Sequence, residues 1–231
     1  MKRLLLFDID GTLLTAGGVG ISSCEAAFNE LFGVQDVWGD TKARGKTDHL
    51  IFQEIAQKVL NRPLLDTELQ SVAELYLKNF ESELREAERF RVFPGVNEVI
   101  AALAQSDDVA IGLETGNLEE AAWLKLSRAA LRSHFSFGGF GSDSMDRNQI
   151  VRVAIERGKA LHNASFAPES VVVIGDAVQD IIAGKSVGAR TVALLTGRAP
   201  REELLAESPD VVLDDMSDVA HVVALLRSIS K

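Results

Sequence analysis

Two aspartates one residue apart, Asp8 and Asp10 in "LLLFDIDGTLL", close the first apolar run of this chain. Asp176 and Asp180 follow a second apolar run, "VVVIG", and Thr115, Gly116 and Asn117 follow a third, "VAIGLE". Carboxylates delivered to one place repel one another unless a hard cation neutralises them, and oxygen donors without a neighbouring His or Cys favour Mg²⁺. Residues two apart in an extended strand face the same way, so Asp8 and Asp10 can enter one crevice with separate tasks. One can attack while the other shuttles a proton. A carboxylate nucleophile suits phosphoryl transfer, because an aspartyl phosphate divides one displacement into two easier ones. Gly11 permits an abrupt turn behind the pair, and the Thr12 hydroxyl can tie that turn down.

The elements that must hold these residues can be read from the hydrophobic pattern. "RLLLFDID" is a continuous apolar run, the mark of a strand covered on both faces in a parallel sheet. Val109 to Leu113, Val171 to Ile174 and Thr191 to Leu195 read the same way, and helical periods lie between them, at Val96, Val99, Ile100 and Leu103 and again from Ile150 to Leu161. Strands alternating with helices predict a doubly wound, parallel α/β domain, whose ligands lie beyond the carboxyl ends of its strands. From Ala16 to Arg89 the alternation stops. "DTELQSVAELYLKNFESEL" has Thr67 and Gln70 at capping-box spacing and sets Leu69, Val72, Ala73, Tyr76, Phe80 and Leu84 on one helical face. A helical insertion after the first strand is expected, with "FPGV", Phe93 to Val96, marking the return.

With those elements in place, "DIDGTLL", "ETGN" and "GDAVQD" resemble motifs one, two and four of the haloacid dehalogenase (HAD) superfamily of Mg-dependent phosphatases, in the family's order. Within the superfamily the chain resembles the phosphoglycolate-phosphatase-like members, whose helical cap is inserted after motif one. "AGKSVGARTVALLTG", Ala183 to Gly197, looks like the helix and strand that follow motif four there. The resemblance implies a Rossmannoid core at 1–15 and 90–231 and a small α-helical cap domain at 16–89. It implies Asp8 as nucleophile and metal ligand, Asp10 as acid and base with its carbonyl on the metal, and Thr115, Gly116 and Asn117 around the phosphoryl group. Asp176 would be a further Mg²⁺ ligand, with Asp180 supporting it. The family's third motif, usually a lysine followed by proline, has no counterpart in "DSMDRNQIVRVAIERGKA". Arg147, with its fork of donors, and Lys125 in "WLKL" both stand as candidates for the missing cation, with Arg152 and Lys159 behind them.

Composition narrows the partners. Over 231 residues, 34 acidic against 24 basic side chains leave a net charge of −10, which argues against nucleic acid or an anionic membrane as partner. The expected substrate is a small phosphorylated metabolite held by local groups. One cysteine, Cys24, allows no internal disulfide and suits a reducing cytoplasm. No apolar run approaches a membrane span of roughly 20 residues, and no signal-peptide pattern opens the chain.

Other readings of the same residues fare worse. A calcium loop starting at Asp8 would need glycine sixth and glutamate twelfth, but glycine comes fourth and Val19 twelfth. "GKT" at Gly45 to Thr47 lacks the glycine and strand of a nucleotide-binding loop; "ARGKTD" reads instead either as a cap segment facing the site, with Arg44, Lys46 or Asp48 near the leaving group, or as a plain solvated turn. His49, His134, His162 and His221 form no ligand spacing, and Trp38 and Trp123 read as packing residues. Within the superfamily Asp10 counts against dehalogenation, and nothing marks Lys42, Lys46 or Lys58 as a Schiff-base lysine. A sugar-phosphate mutase and a noncatalytic phosphate- or partner-binding protein on this fold are the alternatives to hydrolysis of a phosphate monoester.

Overall fold

The computed structural model describes residues 2–229. Strand β1 (Arg3–Phe7) lies at the centre of a six-stranded, wholly parallel sheet, flanked by β4 (Val109–Glu114) and β6 (Val171–Gly175). Outside these lie β5 (Gly138–Gly139) on one side and β7 (Arg190–Leu194) then β8 (Val211–Leu213) on the other, for an order β5-β4-β1-β6-β7-β8. Register is simple at the centre: Leu5 pairs with Ile111 on one side and Val172 on the other.

The unbroken apolar run of β1 has a direct cause, since its alternate side chains serve two different cores. Leu5 and Phe7 join Val99, Ile100 and Leu103 of α4 (Val96–Ala104) and Val222 and Leu226 of α9 (Val219–Ser228). Leu4 and Leu6 face the other way, onto Val151, Ala154 and Ile155 of α6 (Arg147–His162) and Ala183 of α7 (Val178–Ser186). Both faces are therefore dry, as a doubly wound parallel sheet requires. Two strands were not expected. Gly138 and Gly139 carry no side-chain signal and pair only because β4 offers a free ladder, whereas Val211–Leu213 is a strand of three residues at the edge, too short to stand out in the sequence.

The chain leaves this core through β2 (Leu14–Thr15) and returns through β3 (Arg91–Val92), and these two form a small antiparallel ribbon. Three helices lie between them: α1 (Val19–Phe32), α2 (Asp48–Val59) and α3 (Asp66–Glu86). They bury a separate cluster that includes Phe28, Phe52, Ile55, Val72, Tyr76 and Phe80. The start of α3 differs from the expected box at Thr67 and Gln70. The N-cap is Leu65, whose amide donates to the Glu68 carboxylate at 2.9 Å, and Arg62 grips the same carboxylate at 2.7 Å. A glutamate at the third helical position can reach back while its ion pair holds it, so the helix begins two residues earlier. No helix among the described residues is long and apolar enough to cross a membrane.

Candidate active site

Beyond the carboxyl ends of β1, β4 and β6 the sheet gathers the predicted residues. The amide of Asp8 continues the β1–β6 ladder by donating to the Ile174 carbonyl at 2.9 Å, which fixes the backbone from which its side chain projects. Ile9 turns into the core between Asp8 and Asp10. Gly11 then takes a positive φ of 88°, and any Cβ there would run into the Asp176 carboxylate, so the turn needs glycine twice over. The Thr12 hydroxyl donates to Asp176 Oδ1 at 3.4 Å, and Thr196 donates to the Gly11 carbonyl at 2.5 Å.

The site has two corners of different chemistry. In the first, Asp8, Asp176 and Asp180 are buried and offer oxygens that all lie within 4.8 Å of one another. Burial, with Asp180 beside it, pushes the Asp8 carboxyl up to about 7 despite the opposing charge of Arg147. Burial and the charges of Asp8 and Asp180 raise Asp176 well above the usual carboxylate range. Such crowding is what a divalent cation relieves, and an all-oxygen donor set suits a hard ion such as Mg²⁺. The residues present therefore fit that metal.

Arg147, the first residue of α6, reaches into this corner from the far side. Its Nη2 donates to Glu114 Oε2 at 2.8 Å and to Asp180 Oδ1, and stands 3.7 Å from Asp8 Oδ1. Burial, the largest influence on its guanidinium, works against the charge, but Glu114, Asp180 and Asp8 outweigh it, so the group stays cationic. Asp180 is not the N-cap of α7. It is instead the third residue of α7, and its Oδ2 accepts the amide of Ala177, the residue before the helix, at 2.9 Å.

In the second corner, Lys125 of α5 (Glu119–Arg128) places Nζ 2.5 Å from Asp10 Oδ2 and also donates to Asn117 Oδ1. Asn117 completes the triangle by donating to Asp10 Oδ2 at 2.9 Å. Thr115 is buried with its hydroxyl accepting from the Asn117 amide at 3.4 Å. The two candidate cations are thus both brought to the site, one in each corner. Arg152 and Lys159 are not: they pair with the Ser186 carbonyl and with Glu156 on exposed helix surface.

The helical insertion closes over the second corner. Asp48, the first residue of α2, donates its amide to the Gly116 carbonyl at 2.8 Å and accepts the Leu118 amide on Oδ2 at 2.7 Å. Thr47, itself fully buried, caps α2 by accepting the Leu50 amide at 3.3 Å. A Cβ on Gly116 would strike the Lys46 carbonyl, so this close approach depends on glycine. Phe80 of α3 lies under Lys125, with Nζ 5.4 Å from the ring centre. Burial raises the Asp48 carboxyl to about 6, with Lys125 opposing. Arg44 and Lys46, by contrast, pair with Glu203 and Glu54.

Glu114 is the site residue that sequence reasoning passed over. It ends β4, none of its surface is exposed, and burial raises it well above the usual range even with Arg147 beside it. An acidic residue closing the otherwise uncharged run "VAIGLE" was the available signal.

The chain has known relatives. The chain is 29% identical over 136 residues to the phosphoglycolate phosphatase of Synechococcus elongatus, an alignment spanning 59% of this chain and 61% of that one. It is 25% identical over 223 residues to the phosphoglycolate phosphatase of Vibrio vulnificus strain YJ016, covering 96% of each. The crystal structure of CbbY from Rhodobacter sphaeroides in complex with phosphate superposes with a TM-score of 0.73 at 19% identity, covering 95% of this chain and 96% of that one, and so shares its fold. The haloacid dehalogenase-like hydrolase family matches residues 5–194, and the chain belongs to it.

Proposed function

We propose that this protein is a Mg²⁺-dependent phosphatase that hydrolyses a small phosphate monoester through an aspartyl phosphate on Asp8, with residues 16–89 acting as a cap. The observation that carries this reading is the split environment of two carboxylates on one strand end. Asp8 lies among Asp176, Asp180 and Arg147, whereas Asp10 lies between Lys125 and Asn117. Paired acids in unlike surroundings can take unlike roles. Relatives named as phosphoglycolate phosphatases support the substrate class.

In this mechanism a carboxylate oxygen of Asp8 attacks phosphorus while the ester oxygen leaves and takes a proton from Asp10. Asp10 then removes a proton from water, whose oxygen attacks the same phosphorus; the bond to Asp8 breaks and phosphate departs. Lys125, Thr115 and Asn117 hold the phosphoryl oxygens on the Asp10 side, and Arg147 balances charge on the Asp8 side. Asp8, Asp176 and the backbone carbonyl of Asp10 would hold the ion. Asp180, both of whose oxygens are engaged by Arg147 and Ala177, would support it from behind. Bound Mg²⁺ supplies charge neutralisation and polarisation of the phosphoryl oxygens. A single buried cysteine fits a reducing, cytoplasmic setting.

The test is release of inorganic phosphate from an aryl phosphate and from a panel of phosphorylated metabolites with Mg²⁺. Turnover that disappears in Asp8→Asn, with the fold intact, supports the assignment. Substantial residual Mg-dependent turnover in that variant would sink it. Isomerised monoester without phosphate release would mark a mutase, and binding without chemistry a noncatalytic protein.

A further inference from the structure

Glu114 closes a strand that is otherwise uncharged, in a place with no solvent to hydrate it. A buried carboxylate without a partner costs several kcal/mol, so its presence has to be explained by what it touches. It meets Arg147 end on, with Asp180 beside it: Oε2 accepts from Nη2 at 2.8 Å, while Oε1 and Arg147 Nε are both left without partners among the described residues. A grip aimed at stability would use the side-on fork, two parallel bonds through Nε and Nη2. Here the contact is confined to the tip of the guanidinium.

That tip is where the proton count matters. Nη2 has two N–H bonds, and the structure gives one to Glu114 and the other to Asp180. None is left for Asp8, whose Oδ1 stays 3.7 Å away, outside hydrogen-bond range although within reach of the charge. Were Glu114 neutral and apolar, the freed N–H would turn to the nearest remaining acceptor, which is Asp8. A carboxylate that accepts a short charge-assisted bond from arginine is a weaker nucleophile, because the same lone pairs must attack phosphorus.

We propose that Glu114 is a positioning residue: by occupying one N–H of Arg147 Nη2 it keeps the guanidinium beside Asp8 as a charge and prevents it from becoming a hydrogen-bond donor to the attacking oxygen. This rests on Asp8 being the nucleophile, and acts through Arg147.

The experiment is a double-mutant cycle in kcat and KM with an aryl phosphate and saturating Mg²⁺, beside crystal structures of the variants. Glu114→Leu should lower kcat by about tenfold to a hundredfold with KM little changed, while Glu114→Gln, which still offers an oxygen to Nη2, should keep kcat within about threefold of the parent. In an Arg147→Met background Glu114→Leu should change kcat no further. Equal losses in both backgrounds, or a Glu114→Gln as impaired as Glu114→Leu, would overturn the proposal. The crystal structure of Glu114→Leu decides the geometry independently of turnover: Nη2 should close on Asp8 to about 3 Å, and an unmoved Arg147 refutes the role. Glu114→Met, closer in length, carries the same comparison where the leucine variant does not fold. If the parent protein shows no phosphatase activity, the nucleophile reading has failed, and the structural comparison still answers for Glu114.

Discussion

The ammonium of Lys125 and the carboxylate of Asp10 stand 2.5 Å apart although 115 residues separate them in the chain. Lys125 is buried to 5% exposure, and its Nζ is further fixed by Asn117 and by the face of Phe80. A buried ammonium held by one carboxylate, one amide and one ring is preorganised to meet an anion beside Asp10. Removing it as Lys125→Ala should lower kcat by about 10²- to 10³-fold, and Lys125→Arg should not restore it, since a planar fork cannot occupy a pocket shaped for a point charge. Steady-state kinetics on an aryl phosphate check this. Unchanged kinetics in Lys125→Ala would leave the phosphoryl group to Arg147 alone, and unchanged kinetics in Arg147→Ala as well would remove both from that task.

The pair of bonds between Asp48 and the Gly116–Leu118 segment ties the helical insertion to the strand-end loop. Asp48→Ala leaves the Leu118 amide without its acceptor, a loss of about 2 kcal/mol, or roughly thirtyfold in the closed-to-open ratio. Gly116→Ala should act on the same contact from the core side, because its methyl group meets the Lys46 carbonyl. Both variants should show faster hydrogen exchange at 45–48 and 116–118 and lower kcat/KM, while Asp48→Asn, which still accepts from Leu118, should not. Identical exchange in all four proteins would show that these bonds do not hold the insertion down.

Asp48 also predicts a pH dependence of stability. Burial raises its folded pKa from about 3.8 to about 6, so between those values the folded protein binds more protons than the unfolded chain. Stability therefore falls as pH rises through this window: the penalty is absent below about pH 4 and complete above about pH 6, on the order of 3 kcal/mol. Asp48→Asn has no such penalty. Its stability relative to the parent should improve by that order between pH 4 and pH 7.5 in urea unfolding with metal removed, and a pH-independent difference would contradict the burial argument.

Much of this was legible in the residues, for reasons that differ by element. The four inner strands announce themselves because Leu4 to Phe7 and their counterparts must be apolar on both faces. Asp8, Asp10, Asp176 and Asp180 follow from them, since a parallel sheet delivers its strand ends to one edge. The ribbon of Leu14–Thr15 with Arg91–Val92 carries no pattern; two residues a side are paired by tertiary geometry alone. Lys125 and Arg147 were framed as alternatives, and the structure brings both to the site. How far a long side chain reaches depends on helix packing that no periodicity encodes, and each reaches a different carboxylate. Asp48 enters only once the insertion has folded down, so its local sequence, "GKTD", could be read equally as a solvated turn.

The crowding of Asp8 and Asp176 sets up the final expectation, an inversion of stability by metal. Without an ion these buried carboxylates repel, and the raised pKa of Asp176 records that burial together with Asp8 opposes its charge. Asp176→Asn removes one charge and keeps an oxygen for the Thr12 hydroxyl, so in chelator this variant should melt higher than the parent. With Mg²⁺ the order should reverse. An ion that binds only the folded state adds RT ln(1 + [Mg²⁺]/Kd), about 2.7 kcal/mol at a hundredfold excess over Kd, and the variant lacks a ligand for it. Thermal melts of both proteins across a Mg²⁺ titration measure the crossing directly. Parallel curves that never cross would mean that Asp176 does not hold the ion and that the acidic corner is neutralised by Arg147 and by protons alone.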